Sequence, residues 1–319
     1  MSLMTVGTMA FDSIETPFGG VERVVGGACT YISWAASYFT DKINLVSIVG
    51  EDFPEQELEQ LKQRGVNLDG LEIKKNAKTF FWSGKYHDNM ISRDTLTTDL
   101  NVLDDFNPVL PESYKDSDFV MLGNLTPSLQ QQVLDQLNDR SKSFVALDTM
   151  NFWMDVALDK LLEVISQVDV LLVNDDEARQ LSGEYSLVNA AKKILNMGPR
   201  YLIIKKGEHG AMLFHKDKIF LAPALPLAEV KDPTGAGDTF AGGFMGYLDK
   251  TKDTSFENIK RALIHGSALA SFCVEEFGLE KLKNIDNAMI NERLNAFTDL
   301  VKFDLQYADS GNKAKQPQD

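Results

Sequence analysis

The chain is 319 residues long, which suits two average domains or one large α/β domain with an accessory. Hydrophobic residues make up 44% and charged residues 25%, as in folded globular proteins and unlike disordered chains. The formal net charge of −15 argues against a nucleic-acid or anionic-membrane binder, because both need a basic surface. Any anionic ligand must therefore be held by local features that oppose the overall charge.

Cysteine and histidine patterns argue against a disulfide scaffold and against a clustered metal site. The two cysteines, Cys29 and Cys273, lack metal-ligand spacing, and the four histidines are scattered without an HExxH pattern. No run of eighteen apolar residues predicts a membrane span, and the first residues lack the basic segment and cleavage site of a signal peptide. A reducing cytoplasm is therefore the expected location.

Apolar strand-like runs alternate with helix-period segments along the chain. Strands are predicted at residues 3–9, 44–49, 119–122, 144–147, 170–173, 201–204, 211–215 and 219–222, and helical stripes at 129–137, 158–168, 240–248 and 290–301. Several strand runs are almost entirely apolar, which is typical of strands buried on both faces of a parallel sheet. The pattern predicts a doubly wound α/β fold, with a mostly parallel sheet between two helical layers.

Two segments interrupt this alternation. Residues 13–25 and 78–102 have the Thr, aromatic and Gly content of short strands and turns. We expect them to pair into a small sheet that projects from the main domain as a lid; the alternative is two ordinary surface hairpins. The polar tail at 309–319 is predicted to be disordered.

Small and polar residues follow the predicted strands, where an open parallel sheet binds its ligands. They are Asp12, Gly50-Glu51-Asp52, Gly123-Asn124, Asp148 with Asn151, Asn174 with Glu177, and Lys205-Lys206-Gly207. Any one of them could be a turn residue or a helix cap. Six such groups at one edge of the sheet indicate a binding cleft.

The sharpest motif spans residues 232–240, DPTGAGDTF, and opens a predicted helix. Gly235 and Gly237 allow close backbone approach, and unpaired N–H groups at a helix start make an anion hole without a basic side chain. Asp238 in the first turn could accept a proton from a substrate hydroxyl beside that hole. The alternative is a Gly-rich turn in which Asp238 only favours the helix dipole. The motif fits neither a dinucleotide fingerprint nor a P-loop.

This stretch resembles the C-terminal signature of the ribokinase-like (PfkB) carbohydrate kinase family, Asp-Thr-x-Gly-Ala-Gly-Asp, with Pro233 where Thr is usual. Further landmarks of the family occur in order: Gly7 to Asp12, Gly26-Gly27, Gly50-Glu51-Asp52, Asn174 to Glu177, and Lys206-Gly207 to Gly210. The resemblance implies a ribokinase-like kinase domain over residues 1–308 with the lid segments inserted in it.

The resemblance also implies catalytic roles. Asp238 would be the base, and Gly235, Ala236 and Gly237 would form the anion hole for the transferring phosphoryl group. Asp232 would be a ligand of a monovalent cation such as K⁺, as in some relatives.

On the nucleotide side, Asn174 and Glu177 would organise the Mg²⁺ of ATP, largely through water. Asn-x-x-Glu before a helix is also a capping box, so both roles stay open. Lys205 and Lys206 would contact nucleotide phosphates; the alternative is a surface lysine pair. The remaining nucleotide-side residues are Gly207, Gly210 and Ser267, the last on a helix that would flank adenine or pack in the core.

On the acceptor side, Asp12 would bind substrate hydroxyls, although an Asp in a turn is the alternative. Gly26 and Gly27 would lie against the sugar. Tyr31 stands near the place where sugar kinases of the family carry Asn, which puts ribose or fructose specificity in doubt; its ring would stack on the acceptor or belong to the core. Further acceptor-side candidates are Asn124, Asp148 and Asn151.

We therefore expect an ATP- and Mg²⁺-dependent phosphotransferase that acts on a hydroxyl, expected to be a primary one, of a sugar or related small molecule. A nucleoside kinase of the same family is one alternative, and a non-catalytic sugar- or nucleotide-binding regulator is another. Pairing of lid edges into a homodimer is a further expectation, because exposed strands offer unpaired backbone groups.

Overall fold

A computed structural model describes residues 2–304, so the tail predicted at 309–319 lies outside the described residues. The strands are β1 (Leu3–Val6), β2 (Ala10–Thr16), β3 (Gly19–Gly26), β4 (Ile43–Gly50), β5 (Val66–Lys74), β6 (Phe80–Tyr86), β7 (Arg93–Asp99), β8 (Phe119–Leu122), β9 (Phe144–Asp148), β10 (Val170–Asn174), β11 (Tyr201–Lys205), β12 (Ala211–His215) and β13 (Lys218–Ala222). The helices are α1 (Ala28–Ala36), α2 (Glu55–Gln63), α3 (Pro127–Asp135), α4 (Asn151–Val156), α5 (Leu158–Ile165), α6 (Asp175–Ser182), α7 (Leu187–Leu195), α8 (Ala236–Thr251), α9 (Phe256–Cys273), α10 (Glu280–Lys283) and α11 (Asn287–Val301). Within 2–304, none of the helices is long and apolar enough to span a bilayer.

The central sheet is mostly parallel, as predicted. Over the described residues its order is β13-β12-β11-β10-β9-β8-β1-β4-β5. The pairs from β11 through to β5 are parallel, and only the β11–β12 and β12–β13 pairs are antiparallel. The near-continuous apolar strands lie at the centre because both of their faces are covered by helices.

Side-chain alternation along the strands divides the core into two halves. In β10, Val170 and Leu172 pack in the half formed with α1, α8 and α9, whereas Leu171 and Val173 pack in the half formed with α3, α5 and α7. The same alternation holds in β8, β9 and β11. The result is the expected three-layer α/β/α arrangement.

This alternation also directs the polar ends of three strands. Asp148, Asn174 and Lys205 each come one residue after a side chain of the α3/α5/α7 half. They therefore point to the opposite face, where α8 begins. Asn174 pairs directly with Lys205, and Asp148 pairs with Leu172 on the neighbouring strand. The sheet thus brings the three side chains together below the start of α8.

Two strand predictions need correction. The run at 3–9 ends at Val6, because the chain bends through residues 7–9 and enters the second sheet at Ala10. No strand was predicted at 66–74, yet β5 pairs with β4 at the edge of the central sheet. Its segment, VNLDGLEIK, has one fully buried residue, and polar residues interrupt its apolar ones, so it lacks the continuous apolar run of the buried strands.

The two interrupting segments form one small sheet of order β3-β2-β6-β7, as the lid prediction requires. Each segment is an antiparallel hairpin, and β2 pairs with β6 in parallel to join the hairpins. The alternative of two independent surface hairpins is therefore wrong for the described residues.

Asp52 ties both halves of the lid to the main domain. Its carboxylate accepts the N–H and hydroxyl of Thr79 at 2.8 and 2.7 Å, and Thr79 in turn accepts the N–H of Gly50 at 3.0 Å. Arg23 of β3 donates to the other carboxylate oxygen at 2.6 Å. Burial acts to raise the pKa of Asp52, but the hydrogen bonds from Thr79 and Arg23 lower it below its ordinary value. Asp52 of the Gly50-Glu51-Asp52 landmark therefore anchors the base of the lid.

We predict that Asp52→Ala loosens the lid, because Thr79 and Arg23 lose their shared acceptor. The expected cost is about 1–3 kcal/mol in the free energy of unfolding, with faster amide hydrogen exchange in β3 and β6. Asp105→Ala, which removes an exposed ion pair with Lys74, is the control and should change little. Unchanged exchange in the lid of Asp52→Ala would contradict the anchoring role.

Candidate active site

The loop before α8 is shaped as an anion hole. Gly235 has a φ of +74°, and a methyl group there would lie 2.5 Å from the ring of Tyr31. The loop therefore rests directly on that ring. The backbone N–H groups of Gly237 and Asp238 have no hydrogen-bond acceptor within residues 2–304, whereas the N–H of Thr239 already bonds to Gly235. Two free N–H groups at the positive end of a sixteen-residue helix suit an anionic ligand.

Asp238 lies in the first turn of α8, beside these N–H groups. Burial, reinforced by the negative charge of Asp148, raises the pKa of Asp238 to about 7, although Lys205 and Arg93 oppose the shift. A carboxylate with that pKa is poised to take a proton near neutral pH. The arrangement places a potential base next to an anion hole.

Lys205 faces the anion hole from the end of β11. Its ammonium lies 3.0 and 3.1 Å from the two carboxylate oxygens of Asp148, and 3.1 Å from where a methyl group at Gly237 would stand. Burial acts to lower the pKa of Lys205, but the carboxylates of Asp148, Glu177 and Asp238 raise it overall. The pair is therefore charged and largely enclosed, and Lys205 is not one of a surface lysine pair.

Asn174 and Glu177 form a complete capping box at the start of α6. The side chain of Asn174 accepts the N–H of Glu177 at 2.8 Å, and Glu177 Oε2 accepts the N–H of Asn174 at 2.7 Å. Glu177 is nevertheless close to the cleft: burial raises its pKa to about 7, with Lys205 opposing the shift and Asp148 adding to it. Capping and a role in the cleft therefore coexist geometrically.

Asp12 lies against the double glycine. A methyl group at Gly26 would stand 1.9 Å from Asp12 Oδ2, so only glycine leaves room for this carboxylate. Gly27 has a φ of +89° and packs on the backbone of residues 8–10. Burial, together with Asp232 and Asp238, raises the pKa of Asp12 to about 7. The predicted acceptor side thus carries a buried carboxylate that responds to the charge of Asp238.

Two further buried groups underlie the loop. Asp232 is 0% exposed and accepts the N–H groups of Thr234 and Gly278 at 2.8 and 3.2 Å. Tyr31 is 1% exposed, and its hydroxyl has no hydrogen-bond partner within residues 2–304. A ring so enclosed offers no free face for stacking on an acceptor in this structure.

The remaining acceptor-side candidates already have protein partners. Asn124 accepts from Trp153 Nε1 at 2.8 Å, and Asn151 donates to Gln180 at 2.7 Å. Their contact with an acceptor stays a prediction.

The glycine turn between β11 and β12 holds the remaining nucleotide-side candidates. Gly207 and Gly210 have φ values of +53° and +83°, and the N–H of Lys206 donates to the carbonyl of Gly210. A methyl group at Gly210 would lie 2.0 Å from the carbonyl oxygen of Ala222, so the turn requires glycine there. Ser267 lies partly buried on α9. Nucleotide binding by these residues stays a prediction.

Comparison with known proteins settles the family. The sequence profile described as "pfkB family carbohydrate kinase" matches residues 3–284. The chain belongs to the pfkB family of carbohydrate kinases. The resemblance drawn from the Gly235-Ala236-Gly237-Asp238 signature is thereby confirmed.

Individual pfkB-family relatives differ in their acceptors. A cytidine kinase of Thermococcus kodakarensis is 28% identical over 249 residues, which are 77% of this chain and 87% of that protein. Among solved structures, a ribokinase II of E. coli in complex with ATP and Mg²⁺ has a TM-score of 0.76 at 18% identity, covering 92% of this chain and 99% of that one. A Burkholderia thailandensis nucleoside kinase in complex with inosine has a TM-score of 0.72 at 18% identity, covering 93% and 99%. The fold of this pfkB-family chain matches theirs.

The lid of this family member contributes groups that the sequence did not single out. Tyr86 of β6 is buried, and its hydroxyl lies 3.1 Å from Thr234 Oγ1 in the anion-hole loop. Arg93 of β7 opposes Tyr86 in the lid sheet, and its charge acts to lower the pKa of both Asp12 and Asp238. No motif marks either residue, since strand pairing alone brings them to the cleft.

We predict that Lys205→Met destabilises the protein, because it leaves Asp148 buried without its counter-charge. The expected cost in the free energy of unfolding, measured by urea titration, is about 2–4 kcal/mol. Lys206→Met is the matched control and should change little, and adding Asp148→Asn to Lys205→Met should restore much of the loss. An equal cost for both lysine variants would contradict the pairing.

We also predict a pH signature of Asp238. Because its pKa is higher in the folded protein than in the unfolded chain, this group favours folding most below about pH 4, and that contribution is lost as pH rises through about 7. Asp238→Asn should therefore exceed the parent in unfolding free energy by roughly 1–3 kcal/mol at pH 8, with the difference shrinking toward pH 4.

The control for this signature is Asp139→Asn, at an exposed carboxyl whose pKa is lowered by hydrogen bonds from Ser141 and Lys142. It should give no gain at pH 8. A constant difference between Asp238→Asn and the parent across pH would refute the raised pKa.

Proposed function

We propose that this protein transfers the γ-phosphoryl group of ATP to a primary hydroxyl of a sugar or nucleoside. The observation that carries the proposal is the single turn of chain that joins two free N–H groups, at Gly237 and Asp238, to the Asp238 carboxylate. Phosphoryl transfer needs charge stabilisation at the phosphoryl oxygens beside a group that receives the hydroxyl proton. A regulator that only binds sugar or nucleotide has no need of the carboxylate.

In the proposed reaction, Asp12 orients the acceptor through its hydroxyls, and Asp238 takes the proton of the attacking hydroxyl. The new bond joins the acceptor oxygen to the γ-phosphorus, and the bond to the β–γ bridging oxygen breaks to release ADP. Gly235, Ala236 and Gly237 frame the hole that holds the phosphoryl oxygens, with Lys205 adjacent. Lid closure would exclude water and suppress ATP hydrolysis.

Mg²⁺ fits this cleft as an ion bound mostly by water and phosphate. Within residues 2–304 no three acidic, His or Cys side chains converge as a metal cage. Mg²⁺ is commonly held by one or two carboxylates plus substrate phosphates, and it neutralises phosphate charge. One carboxylate oxygen of Glu177 accepts the N–H of Asn174 in the helix cap, and the other is available to a ligand. Glu177 and Asn174 would therefore position the hydrated ion. Lys206, Gly207, Gly210 and Ser267 remain the proposed contacts of the nucleotide.

Asp232 is the proposed ligand of a monovalent cation such as K⁺. Its buried carboxylate receives two backbone N–H groups and makes no ion pair within the described residues. A buried charge so placed gains from a bound cation.

The proposed acceptor is a free sugar or a nucleoside. The relatives named cytidine kinase and nucleoside kinase favour a nucleoside, and the position of Tyr31 disfavours ribose or fructose. Proposed acceptor contacts beyond Asp12, Gly26 and Gly27 are Asn124, Asp148 and Asn151.

We propose two further properties of the whole molecule. The exposed β7 edge, with Leu96 57% exposed, could pair with a second copy of the chain as a homodimer.

The two cysteines are buried and unpaired, which suits a reducing cytoplasm.

Asp238→Asn tests the base directly. Turnover should fall about 10²–10⁴-fold, because the attacking hydroxyl loses its proton acceptor, while ATP binding measured by calorimetry persists. In the parent, kcat/KM should fall as pH drops below about 7, since Asp238 is then protonated. Parent-like turnover in Asp238→Asn would refute its role.

An ATP-consumption screen over sugars, sugar phosphates and nucleosides identifies the acceptor. It is run in KCl and in choline chloride, and higher rates in KCl are expected if Asp232 holds K⁺. ATP binding with no turnover on any acceptor would favour the binding-module alternative.

A further inference from the structure

Arg93 is held over the cleft by aromatic side chains of the lid. It opposes Tyr86 in the β6–β7 pair, and its guanidinium lies 5.6 and 5.9 Å from the ring centroids of Trp82 and Tyr86. The Trp82 ring in turn occupies the space above Gly84, where a methyl group would stand 2.3 Å from it. These rings give the guanidinium a platform, where a hydrogen bond to the Tyr86 hydroxyl acts to lower the pKa of Tyr86 and engages one of the five N–H donors of Arg93.

Arg93 differs from the other cations of the lid in having no acidic partner. Lys85 pairs with Glu15 at 2.5 Å, and Arg23 pairs with Asp52 at 2.6 Å. Within residues 2–304, Arg93 has no carboxylate oxygen within 4.0 Å and is exposed. In a chain of net charge −15, an unpaired guanidinium beside a cleft is free for an anionic ligand.

The lid places this cation at the anion-hole loop. The buried Tyr86 touches Thr234, one residue before Gly235, so the β6–β7 pair rests on the loop itself. The positive charge of Arg93 acts to lower the pKa of carboxyls on three separate elements, namely Asp12, Glu177 and Asp238. Those residues stand on the acceptor side, on the nucleotide side and beside the anion hole. Because Arg93 is the direct strand partner of Tyr86, it lies on the lid beside the anion-hole loop.

We propose that Arg93 is a catalytic residue of the lid that donates to the transferring phosphoryl group and stabilises the charge on its oxygens during transfer. The inference rests on the proposed kinase activity. A planar guanidinium can bridge two phosphoryl oxygens, which a lysine cannot do with the same geometry. The reacting bonds are those of the proposed function, and Arg93 neither gains nor loses a proton.

The phosphoryl group suits Arg93 better than an anion on the acceptor does. The acceptor side already carries the buried carboxyl of Asp12, which would repel an anionic acceptor. Tyr86, the strand partner of Arg93, contacts Thr234 of the anion-hole loop, so the pair lies beside the proposed phosphoryl site. Charge that develops at the phosphoryl oxygens is close to all three sides of the cleft.

Arg93→Met is the test, with Lys85→Met as the matched control that removes a lid charge paired away from the cleft. On the acceptor found in the screen, kcat of Arg93→Met should fall about 100-fold or more, with the KM values for ATP and acceptor changed only a few-fold. Arg93→Lys should recover part of the rate, and guanidinium ion should partly rescue an Arg93→Ala variant. Lys85→Met should keep parent kinetics.

A binding measurement separates catalysis from lid folding. Affinity for ADP with aluminium fluoride and acceptor, a mimic of the transferring phosphoryl group, should fall far more in Arg93→Met than affinity for ADP alone. Unchanged kcat in Arg93→Met, or a raised acceptor KM at unchanged kcat, would overturn the inference and leave the kinase activity standing. A parent protein that phosphorylates no acceptor would overturn both.

Discussion

Side-chain alternation in parallel strands is the constraint on which the cleft depends. Successive side chains point to opposite faces, so the strand that buries an apolar residue on one face presents its next residue to the other. In this fold the rule turns Asp148, Asn174 and Lys205 toward the start of α8 together. A one-residue slip in any of the three strands would send its polar end to the wrong layer and expose its apolar residues.

The cleft has local features that would allow a protein of negative net charge to bind an anionic phosphate ligand. Asp12 and Asp148 are buried at the cleft and Asp238 is partly buried there, and burial raises the pKa of Asp12 and Asp238, so this region is costly to assemble. Lys205 offsets part of this charge at the base and Arg93 offsets part from above. The backbone N–H groups supply the rest without changing the net charge. The net charge of −15 is therefore compatible with phosphate binding, because individual cations lie at the cleft itself.

Sequence patterns predict what depends on local repetition. A few consecutive residues are enough to recognise the buried strands, the helix after Gly235 and the Asp238 signature. The two lid segments are recognisable because they interrupt the alternation of strands and helices. The edge strand β5 is not predicted, because only one of its residues is fully buried and it has no continuous apolar run. The Lys205–Asp148 pair and the electrostatic influence of Arg93 on Asp238 are not predicted for another reason. The first joins residues 57 apart in the sequence, and the second joins a lid strand to a helix of the main domain. Only the assembled fold specifies them.

The contact between Gly26 and Asp12 has an evolutionary consequence. With 1.9 Å between the carboxylate and any added methyl group, the two positions cannot drift independently. A sequence that replaces Asp12 with a small residue is released from the requirement for glycine at position 26, and a sequence with a side chain at position 26 must move or lose its acid. On the proposed role of Asp12, the identity of these two residues separates homologues that retain the carboxylate for a hydroxylated acceptor from homologues that have lost it.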